Sequence, residues 1–406
     1  MSGERRRVVV TGIGMITPLG ADAPSTWEAL LAGKSGIQRI RRFDASTLPV
    51  DFAAEVPGLT GPDQGAMKIT LIDRALDEAL AGAGPLPYPG ERLGVCMGSE
   101  AARPDLGVLA KRVKTREMPS RDEMWRATPR APTDHVAERV GALGPTSTVS
   151  TACTSSSQAI GEGVLRIRRG EVDAMIVGGV DVLVDPVMVT GFALLGALST
   201  SGDDPSAASR PFDRARDGFV LGEGAGVLVL EDAELALRRG ATPLVEIRGW
   251  GCSCNAYRIT DSPPDGRGAA QAMAAAIDDA GLSPTDIDYI NAHGTSTMMN
   301  DSSETRGIHT AFGDAGGRVS VSSTKSMTGH LVAACGAVEA IITALAVRNG
   351  VMPPTINLDN PDPACDLNHV ANEAREQPVR HALTNAFGFG GSNGSVLISR
   401  WQEELG

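Results

Sequence analysis

The chain has 406 residues, a length that suits two or three ordinary domains or one large duplicated one. With 42% hydrophobic and 21% charged residues it has the composition of a globular protein with a sizeable core. A net charge of −12 and only 4% aromatic residues argue against nonspecific nucleic-acid binding. The cysteines at 96, 153, 252, 254, 335 and 365 are scattered, so no disulfide framework is expected. Cys252-Ser253-Cys254 has no second Cys or His pair at zinc-site spacing, and no metal is expected. The first seven residues are basic, but Val8-Val9-Val10 is too short for a signal-peptide core. No stretch approaches ~20 uninterrupted apolar residues. The expectation is a chain without membrane contact, working in the cytoplasm.

Val8-Val9-Val10-Thr11 reads as a buried strand running into Gly12-Ile13-Gly14. That resembles the start of a dinucleotide fingerprint, but the third glycine is a threonine and no helix opens at once. Ser25-Thr26-Trp27-Glu28 predicts a helix start, and a second helix is expected from about Met67 to Ala81. Leu93–Ser99 predicts the next strand. From Lys111 to Arg130 comes the most basic stretch in an acidic chain, either a solvated face or a docking surface for an acidic partner.

Val149-Ser150-Thr151-Ala152-Cys153-Thr154-Ser155 passes from a β-branched run into small residues and then a helical pattern. Cys153 is therefore expected where a strand meets a helix start, whose free N–H groups and dipole favour a thiolate. The alternative is an inert buried cysteine. Ala174–Gly179 and Val227–Leu230 predict further buried strands, and the alternation of helix and strand points to layered α/β. A looser echo pairs Val149–Cys153 with Val321–Lys325, each followed by an amphipathic helix, and suggests two similar halves.

In the second half, His293 sits in a Gly/Thr loop after a predicted strand, and Lys325 and His330 share another small-residue turn. Such turns permit close substrate approach, unlike the settings of His135, His309, His369 and His381, which read as structural. One cysteine with two histidines is compatible with several nucleophilic chemistries, a papain-like hydrolase among them.

Four segments together narrow this choice: Thr151-Ala152-Cys153-Thr154-Ser155, Asn291–Thr297, Ser322–His330 and Asn385–Gly391. In this order they resemble the signature motifs of β-ketoacyl-acyl-carrier-protein synthases, particularly the elongating type II enzyme and the ketosynthase subunit of type II polyketide synthases. The resemblance implies a thiolase fold, a five-layer αβαβα sandwich of two duplicated halves with mixed sheets, here residues 1–245 and 246–406. It implies a decarboxylative Claisen condensation: Cys153 takes an acyl chain from an acyl carrier protein, and the enolate from a malonyl carrier attacks it. No cofactor is implied, since both substrates ride on the carrier's phosphopantetheine. His293 and His330 would steady the enolate oxygen, and the N–H groups of Cys153 and Phe389 the second oxyanion. Lys325 would act electrostatically with Glu339, Phe389 and Phe192 would gate the site, and Thr295 and Thr297 would line the malonyl pocket.

The partners implied are an acyl carrier protein and either a chain-length-factor homologue or a second copy of the chain. The polyketide or polyene pathway is the favoured reading, ahead of a homodimeric fatty-acid enzyme. A non-catalytic chain length factor is the non-enzyme alternative; the presence of Cys153 opposes it. The segment from Gly61 to Pro145 departs most from the family pattern, and Gly196 stands where an arginine often meets the carrier. Lys68, Arg126 and Arg130 are the expected docking cations.

Overall fold

The computed structural model describes residues 5–61, 63–103 and 105–402, so the first four residues of the basic N-terminal run lie outside the described residues. The apolar runs become strands: β1 Val8–Ile16, β2 Leu93–Gly98, β3 Thr146–Val149, β4 Ala174–Asp181 and β5 Gly224–Asp232 in the first part of the chain. In the second part they are β6 Val245–Cys254, β7 Tyr289–Asn291, β8 Ser320–Ser322, β9 Asn368–His369, β10 His381–Phe387 and β11 Ser392–Arg400. The principal helices are α1 Gln64–Ala83, α2 Ser155–Arg168, α3 Arg267–Asp279, α4 Met298–Phe312 and α5 Cys335–Asn349.

The order β3-β2-β4-β5-β1 recurs as β8-β7-β10-β11-β6, with β9 added at the outside. In each set the first three strands are parallel and the next two pair antiparallel. The two sets meet where Val9 and Val10 pair with Glu246 and Val245. Helix α1 and the helix Ala131–Val140 pack outside the first sheet, and α3 and α4 outside the second. Helices α2 and α5 lie between, each touching strands of both sheets, which completes the αβαβα sandwich. Because both faces of α5 are covered, it is apolar on nearly every side, with the buried Glu339 as the main exception. The segment Val332–Asn349 has the length and hydropathy of a membrane span, but 83% of it is buried inside this fold.

The Gly12-Ile13-Gly14 pattern has a packing explanation. A Cβ on either glycine would lie 2.0 Å from a carbonyl oxygen of α1, that of Ala79 for Gly12 and of Ala75 for Gly14. The second half repeats the device: Cβ atoms on Gly249 and Gly251 would lie 2.1 Å from the Ala276 and Ala272 oxygens of α3. The glycines let each outer helix lie directly on a strand. Gly14→Ala and Gly251→Ala are each expected to cost about 1–3 kcal/mol through overpacking, read as lowered denaturation midpoints. Midpoints unchanged from wild type would contradict this packing.

Boundaries differ from the sequence reading where acidic caps start helices early. Asp22 accepts the Ser25 N–H, so the first helix begins at Ala23, and Asp63 caps α1 at Gln64. The internal echo also shifts. Helices α2 and α5 are equivalent, and each is entered through a short 3₁₀ turn that begins on a left-handed residue, Ala152 (φ 53°) and Val332 (φ 43°). The counterpart of Cys153 is thus Ala333. Lys325 belongs to a short helix, Lys325–Thr328, inserted between β8 and α5.

Candidate active site

The turn after β3 places Cys153 at the floor of a cavity of about 250 Å³. Its Sγ lies 3.0 Å from His330 Nε2, and the ring of His293 stands nearly perpendicular to that of His330 at 5.3 Å between centroids. Donor atoms of the three side chains lie within 4.8 Å of one another. The cavity wall includes Ala152, Phe192, Phe219, Thr295, Thr297, Phe387 and Phe389, so residues far apart in sequence converge here. Thr295 and Thr297 share a hydroxyl hydrogen bond of 2.9 Å.

The electrostatics differ from the simplest expectation for a helix start. Burial pushes the Cys153 thiol up to about 12, although Lys325 and the N–H groups of Phe389 and Cys153 pull the other way. Desolvation outweighs these, so at rest Cys153 is a thiol and not a preformed thiolate. Burial, with Lys325 adding to it, also holds His293 and His330 well below the ordinary histidine range. Both imidazoles are neutral. Nδ1 of His330 accepts the Val332 N–H at 3.3 Å, which leaves Nε2 as the N–H that faces Cys153.

Lys325 donates to Glu339 Oε1 at 2.5 Å, with both side chains almost fully buried. Burial works against the Lys325 ammonium, but Glu339 overrides it and keeps the lysine charged. The same burial pushes the Glu339 carboxyl up against the pull of Lys325. Donor atoms of His293, Cys335 and Glu339 also lie within 4.8 Å of one another. In either cluster a divalent ion would face the neighbouring ammonium, and Glu339 is already neutralised by it.

Some contributors were not evident in the sequence. Glu304 on α4 accepts the N–H groups of His293 (2.9 Å) and Gly294 (2.8 Å) and the Asn385 amide (3.1 Å), so it fixes the His293 loop. Phe219 stacks edge-on with Phe192 at 5.4 Å and with His330 at the same distance. Phe192 in turn meets Phe389 at 6.3 Å, giving a continuous aromatic wall. Phe219 lies in a glycine-rich stretch that reads as a turn, and nothing near Glu304 marks it as a loop brace. Of the Asn385–Gly391 segment, Asn385–Phe387 ends strand β10, and the loop proper is Gly388–Gly391.

The docking cations fare differently. Lys68 is only 1% exposed and pairs with Asp181 at 3.1 Å, so it cannot meet a carrier protein; the helix face that carries it turns inward. Arg126 pairs with Asp122 and with Asp63, and Arg130 with Asp134, which cancels much of the field expected of them. Lys111, Lys114, Arg116 and Arg121 remain exposed. The histidines read as structural each have a partner away from the cavity, His135 in Asp73, His309 in Asp366, His369 in the Cys365 carbonyl and His381 in Ser399, although Nδ1 of His369 is buried without one.

Comparison with known proteins agrees with this geometry. Residues 5–236 match the beta-ketoacyl synthase N-terminal domain and residues 244–359 its C-terminal domain. The chain is 41% identical to 3-oxoacyl-[acyl-carrier-protein] synthase 2 of Coxiella burnetii, covering 98% of this chain and 99% of the relative. The Synechocystis protein of the same name is also 41% identical over the same shares. Among solved structures, the ketosynthase of a type II polyketide synthase complexed with its acyl carrier protein superposes with a TM-score of 0.90 at 30% identity, covering 98% of this chain and 100% of that one. The ishigamide ketosynthase/chain length factor gives 0.88 at 34% identity, with the same coverage. A buried Cys–His–His cluster on a duplicated αβαβα frame, matched over nearly its whole length, makes this chain a member of the beta-ketoacyl synthase family of acyltransferases.

Proposed function

We propose that the protein is a carrier-dependent β-ketoacyl synthase in which Cys153 is the nucleophile and His293 and His330 serve decarboxylation. The observation that carries this reading is the 3.0 Å contact of Cys153 Sγ with a neutral, N–H-bearing His330 Nε2, beside His293. In the first step the Cys153 sulfur replaces the carrier's pantetheine sulfur on the acyl carbonyl. The thiol proton leaves with the pantetheine thiol, so the exchange consumes no base. The oxyanion formed in passing is received by the N–H groups of Cys153 and Phe389, which already point at the sulfur.

In the second step a malonyl carrier loses CO₂, and its enolate oxygen gathers charge between the two histidines. Neutral imidazoles suit that task, because each can offer an N–H without an imidazolium that must later be discharged, and in His330 the Val332 N–H fixes that N–H on Nε2. The enolate carbon attacks the acyl-cysteine, the carbon–sulfur bond breaks, and the departing Cys153 sulfur regains one proton from solvent. Lys325, held charged by Glu339, keeps the field at the cluster positive while the enolate forms. Phe192 and Phe389, with Phe219 behind them, separate the two half-reactions. Thr295 and Thr297 receive the malonyl group.

On this reading no cofactor takes part, and the enzyme works in the reducing cytoplasm, where its free cysteines persist. The chain divides functionally near residues 245 and 246, one half carrying the nucleophile and the other the histidines and Lys325. The outermost strand β3 is half-exposed along its length, an open edge suited to pairing with a homologous subunit. A chain-length-factor homologue is the favoured partner, in keeping with the polyketide-type structural neighbours. The 41% identity to fatty-acid-type synthases supports a second reading, a homodimer acting in fatty-acid synthesis. Carrier docking falls to the remaining exposed cations of 111–121 and to the apolar cavity rim, where Leu195, Met298 and Met299 are exposed.

The test combines purified protein with an acyl carrier and a malonyl carrier. Intact-mass analysis should show an acyl adduct on the enzyme, and then a β-ketoacyl carrier with loss of CO₂. Failure to load any acyl group from a panel of carrier thioesters, alone or with a co-expressed homologue, would refute the reading.

A further inference from the structure

Glu100 and Lys68 form a second charged network that the condensation chemistry does not itself use. Glu100 follows β2 and reaches toward the nucleophile turn. Its Oε1 accepts the N–H of Ala152, the left-handed residue before Cys153, at 3.0 Å, and lies 3.5 Å from the Ser155 hydroxyl. Its Oε2 accepts the Ser150 hydroxyl at 2.7 Å. One carboxylate therefore grips the turn on both sides of the cysteine. A left-handed conformation at a residue with a Cβ persists only where its surroundings hold it there.

The grip does not end at Glu100. Its main-chain oxygen accepts from Lys68 Nζ at 2.6 Å, and the same ammonium pairs with Asp181 at 3.1 Å. Asp181 Oδ2 in turn accepts the N–H of Ala333 at 3.3 Å, directly after Val332, the second left-handed residue. Val332 is the residue whose N–H sets the tautomer of His330. Lys68 and Asp181 are 1% and 0% exposed, so the link is internal and shielded from salt. A lysine in this place, with no solvent and no substrate to meet, has a connecting task.

We infer that Glu100 is a positioning residue for acyl transfer, and that Lys68 and Asp181 connect it to the His330 turn so that the Cys153 and His330 turns keep their mutual placement. The inference rests on the assignment of Cys153 as nucleophile. The carboxylate holds the Thr151–Ala152 peptide and, through the left-handed Ala152, sets the following peptide, whose Cys153 N–H receives the acyl oxyanion. Loss of that orientation slows acyl transfer without weakening carrier binding. The Lys68–Asp181 link holds the second turn, so its loss reaches malonyl decarboxylation as well.

The experiment measures single-turnover acylation of Cys153 and, separately, malonyl-carrier decarboxylation in the wild type, Glu100→Ala, Glu100→Gln and the uncharged pair Lys68→Met/Asp181→Asn. Wild-type acylation itself reports whether the nucleophile assignment stands, independently of the variants. Glu100→Ala is expected to slow acylation by about 10–100-fold at unchanged KM for the acyl carrier, with decarboxylation within about threefold. Glu100→Gln should recover most of the loss, because an amide oxygen still accepts the Ala152 N–H. The double variant, which leaves no unpaired buried charge, should slow both half-reactions. Acylation by Glu100→Ala within twofold of wild type would overturn the proposal. So would equal slowing of both half-reactions by Glu100→Ala, or no recovery in Glu100→Gln, since a merely structural loss predicts either result. If the double variant does not fold, the two Glu100 variants still decide the matter.

Discussion

Cys153→Ala should load no acyl group and form no condensation product, a loss on the order of 10⁴–10⁶-fold. The alanine keeps the turn, since Ala333 occupies the equivalent place in the second half with the same left-handed entry. The defect is therefore chemical and not a failure to fold. Malonyl decarboxylation should continue in this variant, because His293 and His330 remain. Alanine or serine at Cys96, Cys252, Cys254 and Cys365 should leave loading intact: Cys252 and Cys254 are exposed on β6, and Cys96 and Cys365 are buried away from the cavity lining, whereas Cys335, whose Sγ donates to the Cys153 carbonyl at 3.1 Å, is too close to serve as a control. Intact-mass analysis after incubation with acyl carrier decides it. An acyl adduct on the alanine variant would remove Cys153 from its role.

The two histidines are expected to fail in different ways. His293→Ala should slow malonyl decarboxylation by about 10²–10³-fold, the usual cost of one oxyanion donor, with acyl loading within about threefold. His330→Ala should slow both half-reactions, because its Nε2 lies on the Cys153 sulfur at 3.0 Å as well as facing the enolate site. Separate assays of loading and of CO₂ release distinguish these outcomes, and identical profiles for the two variants would refute the division. The same residues shape acid stability. Each folded-state pKa lies well below the ordinary value of 6.5. As pH falls below about 6.5 the unfolded chain gains protons that the folded chain refuses, so stability falls by up to ~1.4 kcal/mol per pH unit for each histidine. His293→Ala should flatten that acid limb, as read from denaturation midpoints between pH 5 and 7.

Much of the fold was legible because buried parallel strands and amphipathic helices leave apolar runs of distinct length. Val8–Val10, Ala174–Gly179 and Val227–Leu230 all proved to be strand cores. The turns at Cys153, His293 and His330 were legible because small residues mark close approach. Lys68 was not: a lysine on an amphipathic helix reads as solvated, and only the tertiary partner Asp181 shows that its face is buried. The paired state of Arg126 was equally hidden, since Asp63 lies far away in sequence. Gly12-Ile13-Gly14 carried a true signal of backbone approach, but the approaching backbone belongs to helix α1 and not to a nucleotide. The charge state of Cys153 followed neither from its helix nor from its neighbours; burial decided it.

That burial bears on how the enzyme survives oxidants. With burial pushing the thiol well above its ordinary range, little of it is anionic at neutral pH. It is the anion that attacks peroxide and disulfides, so a sulfur kept protonated escapes the sulfenic acid formation that would otherwise stop turnover. Reactivity then waits for a bound thioester, which brings the electrophilic carbon and also a departing sulfur able to carry the proton away. In the role proposed for Cys153, the site discriminates by chemistry before shape: a small diffusible oxidant finds an unreactive thiol, whereas an acyl carrier finds a nucleophile.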